Sequence, residues 1–294
     1  MAEKGLSRRR NVPLFAVALL LTTALAWWVF GGANGSSVTY LYFGATMAAE
    51  SPGGDPDALM ILVAKVTGDS RTHDLSRQLL GQNIATVIVS LPDLQNAIGQ
   101  RDCVSLSQIF HAIAKDAEHR LSFPEYRLPV LGGVGEGALA AYVGYRQSGA
   151  GMWSGMLTVD RSSEVSLSKP PCLNWGRSGD APGRYRIDLS HRPGETWVDI
   201  DDFSEGRLDA SIAPLLKNVR APLGSGDMPV TLVEPAKVGP EEPVAIMFFG
   251  DGGWAGFDRK MAAEFNRRGV PVVGISSLEY FWKERQPAEA ARDL

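Results

Sequence analysis

The sequence predicts an α/β protein built on a doubly wound, mostly parallel sheet, followed by a partial second copy of the same pattern. Three observations point there. Apolar runs of strand length alternate with helical patterns between residues 58 and 160. Those runs are apolar at consecutive positions rather than alternate ones, as in strands covered on both faces. The pattern then restarts near residue 244 of a 294-residue chain, a length that suits about two domains.

At the N-terminus, Lys4, Arg8, Arg9 and Arg10 precede a charge-free run from Leu14 to Phe30. This reads as a cleaved signal peptide or as an uncleaved membrane anchor within residues 1–32, and either one directs the rest of the chain out of the cytoplasm. No A-x-A cleavage site comes after it, and Trp27 and Trp28 suit an interfacial belt, which favours the anchor. The paired arginines match a twin-arginine signal only loosely. Ala33 to Ser37 forms a Gly/Ser tether.

"ALMILVAKVTGD" (58–69) reads as a buried strand ending in a Gly-Asp turn. "THDLSRQLL" reads as a helix, with Leu75, Leu79 and Leu80 on one face and Thr72 or Asp74 as its cap. "IATVIVSLPDL" (84–94) is a second strand. Leu106, Ile109, Phe110, Ile113 and Ala117 then keep helical spacing. "RLPVLGG" and "SGMLTVD" (154–160) are the third and fourth strands. Residues 161–230 are less regular, with "ETWVDIDDF" as a strand and "LDASIAPLLKNV" as a helix. Composition places a first unit at 38–232, a linker at 233–243 and a partial second unit at 244–294.

The second unit opens with the strand "VAIMFFGDGG". A helix comes next, with Phe257, Met261 and Phe265 on one face and Gly269 as its stop. "VPVVGISSLEYF" is the next strand. Gly68-Asp69 matches Gly250-Asp251 and Ser90-Leu91 matches Ser277-Leu278, which makes the second copy five residues longer between these marks. Pro287 suits the first turn of a last, short helix.

Charge and cysteines exclude several functions. The net charge of -4 gives no electrostatic case for nucleic acid. Cys103 and Cys172 fit no metal motif, and no metal or other cofactor is expected. Outside the cytoplasm this pair reads as a disulfide, with two free buried thiols as the alternative.

Two glycine turns carry the candidate chemistry. In "VLGGVGEGALAAY" (130–142), Gly133, Gly135 and Ala138 fit a dinucleotide fingerprint, with Asp160 near the spacing of its acidic partner. Gly133 to Gly137 also has the frame of a G-x-S-x-G nucleophile elbow, with Gly135 where the serine belongs. A plain packing turn is the third reading. The fingerprint normally comes after the first strand of its domain, and this one comes after the third, which favours an elbow without its nucleophile. "FFGDGGWAGFDRK" is a strand, a Gly-Asp-Gly-Gly-Trp loop and a helix. Such a loop can offer backbone N–H groups to a developing oxyanion, and a plain turn is the alternative. Trp254, Tyr280, Phe281 and Trp282 read as an apolar substrate wall or as core. Of the four histidines, His111 and His119 read as a solvated helix face with Lys115, and His191 sits in a loop-like stretch. His191 could serve as a base, although no serine motif is assigned to it, His73 carries no motif, and Glu136 reads as a surface residue, with an acid beside Gly135 as the alternative.

"FFGDGGWAGFDRKMAAEFNRRGVPVVGISSLEYFWKERQPAEAARDL" (248–294) resembles the opening of the AcvB/VirJ family of bacterial virulence proteins. The motifs "GDGGWAG", "RGVPVVG" and "SLEYFW" carry the resemblance, and residues 38–240 are similar to the degenerate first domain of its two-domain members. The resemblance implies α/β-hydrolase folds in the periplasm. It implies hydrolysis of the lysine ester of lysyl-phosphatidylglycerol, with the backbone at Asp251, Gly252 and Gly253 in the oxyanion hole. The implied partners are an aminoacylated phospholipid headgroup, the inner membrane and secretion-system proteins. The family pattern also requires a G-x-S-x-G elbow, an acid and a histidine beyond "SLEYFW". None of these lies within residues 1–294, so no efficient turnover is expected of the sequence as written. The competing class is a non-catalytic periplasmic binding or secretion-associated module.

Overall fold

The computed structural model describes residues 35–42, 45–98, 103–148, 151–170, 172, 176–178, 183–187, 189, 194–203, 207–219, 228–234, 243–250 and 256–293. The expected anchor Leu14–Phe30 lies outside them. No helix among the described residues is long and apolar enough to cross a membrane.

The first unit opens with β1 (Ser36–Tyr42) and β2 (Ala45–Ser51), an antiparallel pair in which Ser36 faces Ser51. Ser36 and Ser37, which composition assigns to a tether, are therefore already in the sheet. β3 (Ala58–Ala64) is buried at every position, as its unbroken apolar run requires. Helix α1 (Ser70–Gly81) begins a little earlier than either expected cap. Asp69 is the cap, and its carboxylate accepts from the Thr72 amide at 3.0 Å. β4 (Ile84–Ser90) stops at Ser90, and α2 (Leu91–Ile98) starts there, so "IATVIVSLPDL" is a strand and then a helix. The reason is local: the Ser90 hydroxyl accepts from the Asp93 amide at 3.3 Å and starts the first turn.

Helix α3 (Leu106–Arg120) precedes β5 (Val130–Val134), α4 (Glu136–Gln147) and β6 (Gly155–Val159). One correction falls on α3. His111 is buried rather than solvated, and its Nε2 lies 3.1 Å from the Tyr126 hydroxyl, which supplies the polar partner that burial demands. Between 161 and 200, the described residues include a small antiparallel sheet and then a strand of the main one. The small sheet has the order β7 (Glu164–Ser166), β9 (Arg184–Ile187), β8 (Gly176–Ser178). β10 (Trp197–Ile200) adds to β6 in parallel, and α5 (Arg207–Leu216) covers it. The main sheet has the order β1-β2-β4-β3-β5-β6-β10, the strand order of an α/β-hydrolase sheet with β2 antiparallel to its neighbours. The fold is therefore α/β-hydrolase-like, doubly wound and mostly parallel.

The second sheet contains β11 (Val230–Val233), β12 (Ala245–Phe249) and β13 (Val272–Ser276), in the order β11-β13-β12. β11 therefore pairs with the second unit, although composition put most of it in the first. β13 is antiparallel to β11 and parallel to β12, just as β4 is to β2 and β3. The repeat is thus present in the topology, with a corrected register. Ala64 faces Ser90 in one copy and Phe249 faces Ser276 in the other, so the copies differ by one residue between these marks rather than by five. Ser276 accepts from the Glu279 amide as Ser90 does from that of Asp93, and it starts the short α7 (Ser277–Tyr280). α6 (Gly256–Arg267) occupies the place of α1, Gly269 comes after it at φ +84°, and α8 (Pro287–Asp293) ends the described chain.

A disulfide joins Cys103, just before α3, to Cys172 in the excursion between β7 and β8. Backbone bonds from Val104 to Pro170 and from Cys172 to Val104 flank it. The bridge closes a loop across 69 positions of sequence. A loop of that length corresponds to about 4 kcal/mol of unfolded-state entropy. Replacing both cysteines by serine is expected to lower the unfolding free energy by about that amount in a denaturant titration. A loss below about 1 kcal/mol would mean that the segment is held in place without the bridge.

Candidate functional site

The order β4-β3-β5 reverses direction between β3 and β5, so the crevice beyond their carboxyl ends is the topological switch point of the sheet. Gly135 sits there, between β5 and α4, at φ 60° and ψ -123°. Its amide donates to the Val159 carbonyl at 3.0 Å, and its carbonyl accepts from the Ser162 amide at 3.1 Å. The turn is a sharp strand-to-helix corner of the kind a nucleophile elbow uses.

The two flanking glycines are dictated by contact. A Cβ on Gly133 would stand 2.6 Å from the Gly137 carbonyl carbon, and one on Gly137 would overlap the Val63 carbonyl. Strand β5, helix α4 and strand β3 therefore meet backbone to backbone. At Gly135 the situation is reversed, because a Cβ there would meet no atom within 4 Å. The frame keeps the space for a nucleophile and lacks the side chain. This arrangement fits the empty elbow better than the dinucleotide cradle. The Asp160 side chain, the acid that a cradle would use, instead pairs with Arg71.

Next to Gly135, Glu136 corrects the surface assignment that its residue type suggests: it is buried, with 7% of its surface exposed. Its carboxylate accepts from Lys65 at 3.0 Å, from Arg184 at 3.1 Å and from the Ser166 hydroxyl at 3.1 Å. Arg184 also reaches Glu164 at 3.3 Å, and Arg186 reaches Glu164 at 2.7 Å. The excursion sheet thus lays an ionic cluster across the elbow. Burial pushes the Glu136 pKa up, but the hydrogen bonds from Lys65 and Ser166 and the charge and hydrogen bond of Arg184 outweigh it and hold the carboxyl below its ordinary range. The sequence carries no signal for this cluster, since Lys65, Glu136 and Arg184 lie far apart along the chain.

The other ends of the sheet hold acids. Asp199 accepts from Thr158 at 2.6 Å and from Arg161 at 2.7 Å. With Asp201, Asp202 and Arg207 it lines an open groove of about 520 Å³. His111 is committed to Tyr126, His119 to the ring of Trp282 and His73 lies exposed on α1, while His191 lies outside the described residues.

In the second unit, Asp251, Gly252, Gly253 and Trp254 also lie outside the described residues. The ends of β12 and α6 bracket them, so their loop corresponds to the one after β3. Tyr280 and Trp282 have different partners. Tyr280 is buried, and its hydroxyl donates to Asp293 at 2.7 Å, which together with burial raises its pKa. Trp282 packs on the first unit, and Phe281 is exposed, 6.5 Å from Phe248 between ring centres.

Residues 242–294 match the family described as bacterial virulence protein (VirJ). No curated protein matches the chain. Among solved structures, TT1662 from Thermus thermophilus is 15% identical over 51% of this chain and 64% of its own, with a TM-score of 0.32. A hormone-sensitive lipase from a metagenome library is 13% identical over 52% of each chain, with a TM-score of 0.32. A lipase/esterase from Lactobacillus plantarum is 9% identical over 44% of this chain and 60% of its own, with a TM-score of 0.31. The chain spans less than two thirds of the length of each. The fold assignment rests on the sheet order itself.

Two outcomes are expected at the elbow. In denaturant titrations, Gly137→Ala is expected to cost several kcal/mol, because only backbone could move aside, whereas Gly135→Ala costs about 1–3 kcal/mol of positive-φ strain alone. Equal losses would mean that the turn is not built by that contact. For Glu136 the lowered pKa means stability that is present above the ordinary carboxylate range and is lost as pH falls through the folded-state value. Glu136→Gln is therefore expected to flatten the acid limb of the stability–pH curve, and an unchanged limb would count against the cluster.

Proposed function

We propose that this protein is a periplasmic member of the VirJ group of hydrolases in which the two units divide the work. The VirJ-like unit contributes the oxyanion loop at Asp251, Gly252 and Gly253, and the first unit is a non-catalytic module. The observation that carries this reading is the turn at Gly135, an elbow complete in its backbone with no side chain to attack a substrate. The lysyl ester of a phospholipid headgroup is the proposed substrate, on the strength of the family resemblance of the second unit.

Export is supported by two features. The basic N-terminal residues and the apolar run after them suit a signal or inner-membrane anchor. The Cys103–Cys172 disulfide suits an oxidising compartment. Secretion-system proteins are the alternative partners of the first unit.

The test uses protein carrying a complete VirJ-like unit and vesicles containing lysyl-phosphatidylglycerol, with released lysine as the readout. Replacing Gly252 and Gly253 by valine is expected to lower kcat by about 10²–10³, the usual scale for losing an oxyanion donor, and to leave vesicle binding in place. Gly135→Ala is expected to leave kcat within about twofold. If Gly135→Ala abolished turnover while the two valines did not, the roles of the two units would be reversed.

A further inference from the structure

The two units meet at Trp282. Its indole N–H donates to the Phe123 carbonyl at 3.0 Å. Its ring stacks on His119, with centres 3.8 Å apart and planes 15° apart. The ring of Tyr126 closes a third side at 5.5 Å. His119 is in the last turn of α3, and Phe123 and Tyr126 are buried residues of the connection that leads from α3 to β5. On the other side, Trp282 lies just after α7, the turn that Ser276 starts at the end of β13. The side chain thus leaves the second unit from the strand next to β12, and β12 leads into the 251–255 loop.

We propose that the corner formed by His119, Phe123 and Tyr126 is a docking socket for the VirJ-like unit of the same chain, with Trp282 as its hook. The partner of the first unit is therefore intramolecular. A unit whose elbow has no nucleophile keeps a use as the platform that fixes β13 and, through it, β12. Trp282 is a positioning residue on this view, not part of a substrate wall. The chemistry suits a hook. An indole offers a large flat apolar face together with one N–H donor, and the socket supplies a ring for the face and a bare carbonyl for the donor. The inference concerns docking alone and does not depend on which ester is cleaved.

Hydrogen–deuterium exchange on the intact chain tests this, with Trp282→Ala and His119→Ala compared with the parent. Docking is reciprocal, so each change must be felt across the contact. Trp282→Ala is expected to speed exchange in residues 119–127, and His119→Ala to speed it in residues 272–285. The expected size is roughly tenfold for Trp282→Ala, which loses both a stacked pair and a hydrogen bond, and a few-fold for His119→Ala, which loses the stack alone. His119 is exposed on its helix, so its loss leaves the first unit folded. Exchange that rises only in the unit carrying the substitution would overturn the proposal, as would no change in either unit.

Discussion

The first unit depends on one backbone contact. Gly137 lies against the Val63 carbonyl, and Gly133 lies against Gly137, so β3, β5 and α4 approach as closely as main chains can. No side chain fits between them. This closeness makes the corner at Gly135 sharp and lifts it above the carboxyl edge of the sheet, where the strand order reverses. A turn placed there faces the one crevice that a doubly wound sheet leaves open for a ligand. Packing and site geometry therefore share one cause. The glycines that let the helix sit down on the sheet also expose residue 135.

Charge gathers beside that corner, at Glu136. Glu136 would be a costly group to bury alone, and three neighbours from distant segments make its burial possible: Lys65 at the end of β3, and Ser166 and Arg184 from the excursion sheet. The excursion is itself pinned by the disulfide near its start. The space directly over Gly135 stays open, and the hydrogen-bonded cluster lies beside it at Glu136.

The covered strands and the amphipathic helices are legible in the sequence, because periodicity reports burial directly. So is the glycine frame at 133–137, because backbone contact leaves only one residue type possible. Features that depend on a single side-chain bond are not. Ser90 and Ser276 end strands by capping the helices after them, so apolar runs continuing to Leu94 and Phe281 hide those ends. The same bonds put the repeat in its true register. Glu136 and His111 mislead for a related reason. A polar residue looks exposed until its partner is known, and both partners come from outside the local pattern.

The two copies differ most in what covers them. β3 is buried throughout, whereas in the second unit Leu232, Ile246 and Phe248 remain largely exposed on the three-stranded sheet, and Phe257 does so on α6. The first unit carries the cross-link, and Trp282, just beyond β13, bonds to it through the Phe123 carbonyl. β12 and β13 pair along their whole length, so the contact at Trp282 ties the paired strands of the second unit, and not only the end of β13, to the first.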